Sequence, residues 1–392
     1  MKSRVLIVCN ALDDATRLER GITTDSPAGS RKVFLLCQAL RLAGVRPWVV
    51  SLGRGKAGGS MEFFPSRVRR VDGIPVFYAP FSRIPFLSEL ISLLAPIWIV
   101  FRFRQQNPKA VIFYNRLVAY LPVLLLASFL SYRNLLDLED GEVPGNNSKR
   151  AGVLSQLLPW LYDRFCSGGA LLACSALAKL TRIRPVFLYY GTAVGEVLST
   201  KWRGSSVSVL MGGTLSADTG AELLIDTIRQ LRRAPPLWAE QLRFEVTGKG
   251  PSLEGLQTLA TEAGIPKVLI HGRTTNLEYR EVLGRCDVGL ALKPNSGVLA
   301  NTTFPSKVIE FSAAGLLVLT TDISDVRQIF CDGARYLTRD EPQALVDLLE
   351  DIVKNRAAAQ VCANKGMRKI RECCSPDLAG RAVADFIFED VR

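Results

Sequence analysis

Short apolar runs recur along this chain, and most are continuous stretches of Val, Ile and Leu without polar alternation. Runs of that kind suit strands covered on both faces, as in a parallel sheet. In the first half they predict strands at 4–9, 48–52, 75–78, 111–114, 135–138, 171–174 and 186–189. Between them, apolar positions at helical spacing predict helices at 31–43, 87–105, 117–130, 151–165 and 176–181. The second half repeats the pattern, with strands at 206–211, 243–247, 268–271, 288–292 and 317–320 and helices at 221–233, 253–263, 277–284 and 306–313. Strand and helix alternate throughout, so the chain reads as α/β with two doubly wound domains. The segment 191–205 is rich in Gly, Ser and Thr and lacks periodicity, which predicts domains at 1–195 and 196–375. The pattern over 376–391 predicts one more amphipathic helix.

Composition narrows the class. At 392 residues, 48% hydrophobic and 22% charged, the chain is globular and long enough for two cores. Its net charge of +12 is uneven: residues 1–200 hold 25 Lys and Arg against 13 Asp and Glu, and residues 201–392 hold 24 of each. The first half is therefore the one expected to meet an anionic partner. Nucleic acid is disfavoured, because no basic run carries interleaved aromatics for base stacking. Nine Cys without a Cys-x-x-Cys and a single His argue against Cys/His metal sites and fit buried thiols in a reducing cytoplasm. No signal peptide is visible, and no transmembrane helix is predicted, since the apolar stretch 84–101 is interrupted by Ser88, Glu89, Ser92 and Pro96. That stretch is bracketed by Arg67, Arg69, Arg70, Arg83, Arg102, Arg104 and Arg116. Two readings stay open for it: a helix lying on an anionic membrane surface, or a core helix with solvated Arg at its ends.

Candidate chemistry concentrates at 301–322, NTTFPSKVIEFSAAGLLVLTTD. Ser306 follows Pro305 and is placed to cap the helix, leaving N–H groups for an anion. Lys307 adds a charge in the first turn, and Glu310 lies at i+3 on the same face. A cation beside a helix start, with a carboxylate that accepts hydroxyl hydrogen bonds, suits a nucleotide sugar. Other turns point the same way. Met211-Gly212-Gly213-Thr214 and Val246-Thr247-Gly248-Lys249-Gly250 each leave a strand through glycines that permit close backbone approach. Lys249 could reach a phosphate. His271-Gly272-Arg273 follows the next strand. In the first half, Gly29-Ser30 precedes a helix starting with Arg31, after a long loop at 10–27 expected to act as a lid. Leu138-Glu139-Asp140-Gly141 ends another strand, which makes Glu139 and Asp140 candidate acids.

Phe304-Pro305-Ser306-Lys307, Glu310, Ala313-Ala314-Gly315 and Leu317-Val318-Leu319-Thr320 resemble the donor-binding segment of family 4-type glycosyltransferases with the GT-B fold. The resemblance spans nearly the whole chain and is specific from about 206 to 330. It implies two Rossmann-like domains facing a cleft, with the last helix, 376–392, packing back on the first. It implies transfer of a sugar from a UDP- or GDP-sugar to a saccharide or lipid-linked acceptor, with retained configuration, in polysaccharide or glycolipid synthesis. The nucleotide sugar would be a co-substrate, with no other cofactor and no metal. The expected location is the cytoplasm or the cytoplasmic face of the inner membrane. By this likeness Lys307, Glu310, Thr302, Ser306, Gly213, Lys249 and Arg273 face the donor. Gly29 belongs to the glycine-rich loop that approaches donor phosphate or acceptor. Glu139 falls where relatives carry a His that touches the transferred sugar. The chain also departs from the pattern: Gly213 and Thr219 stand where relatives carry Arg and Lys, and Thr302 where they carry a first Glu. Those departures keep open a catalytically silent scaffold, and a nucleotide-sugar 2-epimerase shares the same two-domain plan.

Overall fold

The computed structural model describes residues 3–57, 62–141, 149–195, 201–296 and 300–388, with the side chains of 149–156 also outside it. Part of the expected boundary, 196–200, lies outside the described residues. The chain forms two compact units, Met1–Thr192 with Pro376–Arg392, and Ala193–Ser375.

The first unit runs β1 (Arg4–Cys9), α1 (Asp14–Arg20), α2 (Pro27–Leu42), β2 (Arg46–Ser51), β3 (Phe63–Phe64), β4 (Arg67–Val71), β5 (Ile74–Tyr78) and β6 (Phe81–Ser82). It continues with α3 (Pro85–Phe103), β7 (Ala110–Tyr114), α4 (Leu121–Phe129), β8 (Arg133–Leu138), α5 (Lys149–Phe165), β9 (Gly169–Leu172) and β10 (Val186–Leu188). Its sheet has the order β10-β9-β8-β7-β1-β2-β5-β4. All neighbours are parallel except the hairpin β4–β5. Val5, Leu6, Ile7 and Val8 of β1 are all buried, as an apolar strand between two helical layers must be.

The second unit runs β11 (Val207–Thr214), α6 (Ala221–Arg233), β12 (Leu242–Lys249), α7 (Leu253–Thr261), β13 (Lys267–Gly272), α8 (Asn276–Arg285) and β14 (Val288–Ala291). It closes with α9 (Lys307–Ala313), β15 (Leu317–Thr321), α10 (Val326–Phe330), β16 (Arg335–Leu337), α11 (Pro342–Lys354) and α12 (Arg356–Cys374). Its parallel order, β13-β12-β11-β14-β15-β16, reverses between β11 and β14, which opens a crevice at the carboxyl ends of those strands. α6 buries Leu224, Ile225, Ile228 and Leu231, the spacing of one helix face.

After α12 the chain returns to the first unit as α13 (Pro376–Phe388). α13 lies close on α2: a Cβ added at Gly380 would stand 2.0 Å from the Ala39 carbonyl oxygen.

Several predicted elements change. The loop 10–27 contains α1, whose N-cap Asp13 accepts from Thr16 N at 2.8 Å and from Tyr78 Oη at 2.7 Å. The buried Arg20 donates to the Gly53 and Ala79 carbonyls at 2.6 and 2.9 Å. A segment tied down by a buried guanidinium is a fixed part of the unit, not a lid. α2 begins at Pro27 with Ser26 as its cap, so Gly29 lies in the first turn and not before the helix. The predicted helix 176–181 is a 3-10 turn, Ser175–Lys179. The hairpin β4–β5 and the elements α10, β16, α11 and α12 have no full counterpart among the predicted elements. α3 with its 3-10 extension, Pro85–Gln106, is long and apolar enough to cross a membrane by length and composition, where no such helix was expected.

Candidate functional site

Two clusters of charged groups stand at the carboxyl ends of strands, one in each unit. In the second unit, β11 ends at the crevice through Gly212, Gly213 and Thr214. Gly213 has φ +111°, a conformation that side chains disfavour. A Cβ there would stand 3.4 Å from Lys307 Cε, and a Cβ on Gly248 would stand 1.8 Å from the Gly213 oxygen. Gly213 thus lies in contact range of the Lys307 side chain, and Gly248 lets the ends of β11 and β12 pack closely.

Lys307 opens α9. Its Nζ donates to Glu310 Oε2 at 2.6 Å and to Tyr279 Oη at 3.0 Å, and lies 4.7 Å from the Tyr279 ring centroid. Tyr279 Oη in turn donates to Glu310 Oε2 at 3.1 Å. Burial works against the ammonium, but Glu310 and then Tyr279 outweigh it and hold the Lys307 pKa above its ordinary value. Lys307 keeps 27% side-chain exposure and Glu310 12%, so a permanently charged cation faces a partly open site.

Gly213, Lys307 and Glu310 therefore meet. Ser306 does not cap: it is helical, at φ −50° and ψ −21°, and its side chain makes no capping hydrogen bond. It is exposed. Thr302 is half-buried in the segment leading to α9. Lys249 pairs across the ladder with Thr214 and is half-buried. Arg273 is exposed just beyond β13, an edge strand two places from β11. Thr219 acts locally: its Oγ1 donates to the Thr214 carbonyl at 2.7 Å and accepts from Ser216 N at 3.1 Å, shaping the β11–α6 loop. His271 Nε2 lies 2.5 Å from Glu245 Oε2, which Arg285 also grips at 2.8 Å. That group is a pairing for the buried Glu245.

In the first unit, β8 carries Asp137 and leads into Glu139. Asp137 is buried, and its carboxyl and that of Glu139 influence each other's titration. Lys32, buried on α2, binds Glu139 Oε1 directly. Its Nζ also reaches the Tyr189 carbonyl at 3.4 Å and lies 4.9 Å from the Tyr189 ring centroid. Asn115, in the left-handed region at φ 61°, joins the ends of β7 and β8. It donates its N–H to the Asp137 carbonyl at 2.7 Å and accepts the Glu139 N–H at 2.8 Å. Burial pushes both acids up, and Lys32 only partly offsets it. The two acids titrate as a coupled pair beside one ammonium, and burial favours the protonated form. Gly29 sits nearby: a Cβ there would meet Tyr114 Oη at 3.0 Å. Asp140 is exposed and adds a weaker pull on Lys32.

Three members of these clusters escape sequence reasoning. Lys32 stands one residue from Arg31, which pattern alone favours no less. Asp137 is an acid inside an apolar strand, a signal that was open to reading. Tyr279 is a single aromatic on an ordinary helix and carries no sequence signal. Among the described residues, no group of three His, Cys, Asp or Glu is placed to hold a metal ion.

Residues 199–369 match the family model described as "Glycosyl transferases group 1", a span that holds Gly213, Tyr279, Lys307 and Glu310 and excludes Lys32 and Glu139. No curated protein matches in sequence. Among solved structures, the chain is similar to Alr3699/HepE from Anabaena in complex with UDP and glucose, at 14% identity and TM-score 0.68, covering 98% of each chain. It is similar to sucrose-phosphate synthase from Thermosynechococcus elongatus, at 11% identity and TM-score 0.69, covering 98% of each chain. An alpha,alpha-trehalose-phosphate synthase (UDP-forming) from Burkholderia vietnamiensis matches at 10% identity and TM-score 0.66, covering 98% of this chain and 97% of that one. The fold is GT-B.

Proposed function

We propose, from the premise that this chain is a GT-B glycosyltransferase with a glycosyl transferases group 1 domain at residues 199–369, that it transfers a sugar from a UDP-sugar to a saccharide or lipid-linked acceptor. The observation that carries the donor reading is Lys307 beside Gly213 at the β11–β14 crevice, tied to Glu310 and Tyr279. Lys307 takes the donor diphosphate and Glu310 the ribose hydroxyls. Tyr279 holds the carboxylate when the ammonium turns to phosphate. As the glycosidic bond breaks, negative charge builds on the departing diphosphate, and a fixed cation there lowers the barrier. UDP is favoured over GDP because the Anabaena protein is seen with UDP and with UDP-glucose. Thr302, Lys249 and Arg273 serve as further donor contacts.

On the acceptor side, Glu139 carries the acid–base role, with Lys32 and Asp137 setting its charge and Asp140 and Gly29 lining the approach. The configuration at the anomeric carbon is retained, and the product belongs to polysaccharide or glycolipid synthesis at the cytoplasmic side. The silent-scaffold alternative rests on Gly213, Thr219 and Thr302.

Incubation with UDP- and GDP-sugars, with and without saccharide and lipid-linked acceptors, tests this reading. Proton NMR of the product then reports its configuration. Transfer from a UDP-sugar that needs Lys307 supports it. Sugar isomerisation without acceptor would make the protein an epimerase, and nucleotide binding without turnover would make it a scaffold.

A further inference from the structure

α3 is apolar on both faces, where a helix that meets only water on its outer side would be polar there. Its inner face buries Ser88, Ser92, Pro96, Ile99, Val100 and Phe103, and the Ser92 hydroxyl donates to the Ser88 carbonyl at 2.6 Å. Its outer face exposes Phe86, Leu90, Leu94, Trp98 and Phe101, with Trp98 56% exposed. α4 packs beside it and exposes Leu125 and Phe129, the latter 85%. Scattered exposed apolar residues are ordinary, but a continuous stripe over two neighbouring helices marks a surface that something covers.

We propose that this α3–α4 face docks on an anionic lipid bilayer, with α3 lying in the plane of the interface. Charge complementarity selects that occupant. At the carboxyl end of α3 the Arg102 guanidinium lies 4.8 Å from the Trp98 ring centroid, and that of Arg104 lies 4.1 Å from the Phe101 ring centroid. Exposed aromatic rings with Arg lying over them suit the boundary between acyl chains and phosphate headgroups. Lys109 is also exposed beyond this end, and Glu89 is the single acid between Pro85 and Arg133. The inner face rules out a spanning role. Phe103 packs edge-on against Trp48 at 4.4 Å and Phe77 at 4.5 Å, side chains of the sheet. Crossing a bilayer would tear these contacts out, whereas lying flat keeps them and presents a stripe about 28 Å long. This inference stands apart from the donor reading and needs no nucleotide.

Co-sedimentation of the full chain with phosphatidylcholine vesicles, with and without phosphatidylglycerol, tests it, with circular dichroism and thermal midpoint as controls for folding. The wild type is expected to bind the anionic vesicles at least tenfold more tightly than the neutral ones. The triple variant Leu94→Gln, Trp98→Gln, Phe129→Gln should stay folded and lose at least tenfold. Arg102→Gln with Arg104→Gln should abolish the preference for anionic lipid. Equal binding by folded wild type and triple variant overturns the proposal, as does no vesicle binding by the wild type. A wild-type dimer by light scattering that the triple variant dissociates, without vesicle binding, would give the face to a second copy of the chain. Resistance of the bound protein to alkaline carbonate extraction would contradict the in-plane placement.

Discussion

Each unit holds a lysine bonded to a glutamate above a tyrosine ring, and the two arrangements behave differently. Lys307 and Glu310 sit one turn apart on α9 and are open enough to meet a ligand. Lys32 reaches Glu139 across 107 residues of sequence and keeps only 9% side-chain exposure. One carboxylate faces the cation in the second unit, and two face it in the first. The result is a site built around a fixed positive charge in one unit, and in the other a pair of acids whose burial favours holding a proton. The first suits an anion such as a diphosphate, and the second suits proton handling.

The sharpest way to break this comparison is to remove each lysine. Lys32→Met leaves two buried acids without their cation, and urea unfolding should show a loss of about 3 kcal/mol. Adding Glu139→Gln to the same chain should recover most of it. Lys307→Met, partly solvated, should cost under about 1 kcal/mol of stability. Equal losses at the two sites would contradict the contrast. A smaller effect is expected at Tyr279. Tyr279→Phe removes the hydroxyl that bridges Lys307 and Glu310, and calorimetry should show UDP binding weakened about fivefold, near 1 kcal/mol.

The smallest effect is the pH slope. Burial raises the Glu139 pKa from its ordinary value of 4.5, so the folded state binds more protons than the unfolded one above that pH. Stability therefore falls as pH rises from that ordinary value toward the raised native one. Glu139→Gln should flatten this decline in urea midpoints measured across the range. An unchanged slope would move the retained proton to Asp137.

How far the chain could be read in advance follows the same division between local and distant contacts. β1 is found at Arg4–Cys9, as its apolar run predicts, because a strand buried on both faces writes its burial into consecutive residues. Lys307 and Glu310 were legible because i and i+3 share a helix face. The Ser306 cap was not, because Pro305 leads into a residue already in helical conformation. α1 was missed because seven residues show little periodicity, and its anchor is an arginine bonded to distant carbonyls. The β4–β5 hairpin did carry a local signal in Asp72-Gly73, both at positive φ, the turn pair that strand twist favours. Lys32 could not be preferred to Arg31 from pattern, since its partner arrives from β8.

The most direct test of a donor site built on Lys307 and Glu310 is calorimetric titration of UDP into wild type, Lys307→Ala and Glu310→Ala. The expected result is saturable binding to the wild type and at least a tenfold weakening in both variants, about 1.4 kcal/mol each. UDP binding that survives both substitutions unchanged, or a folded wild type that binds no UDP, would contradict it.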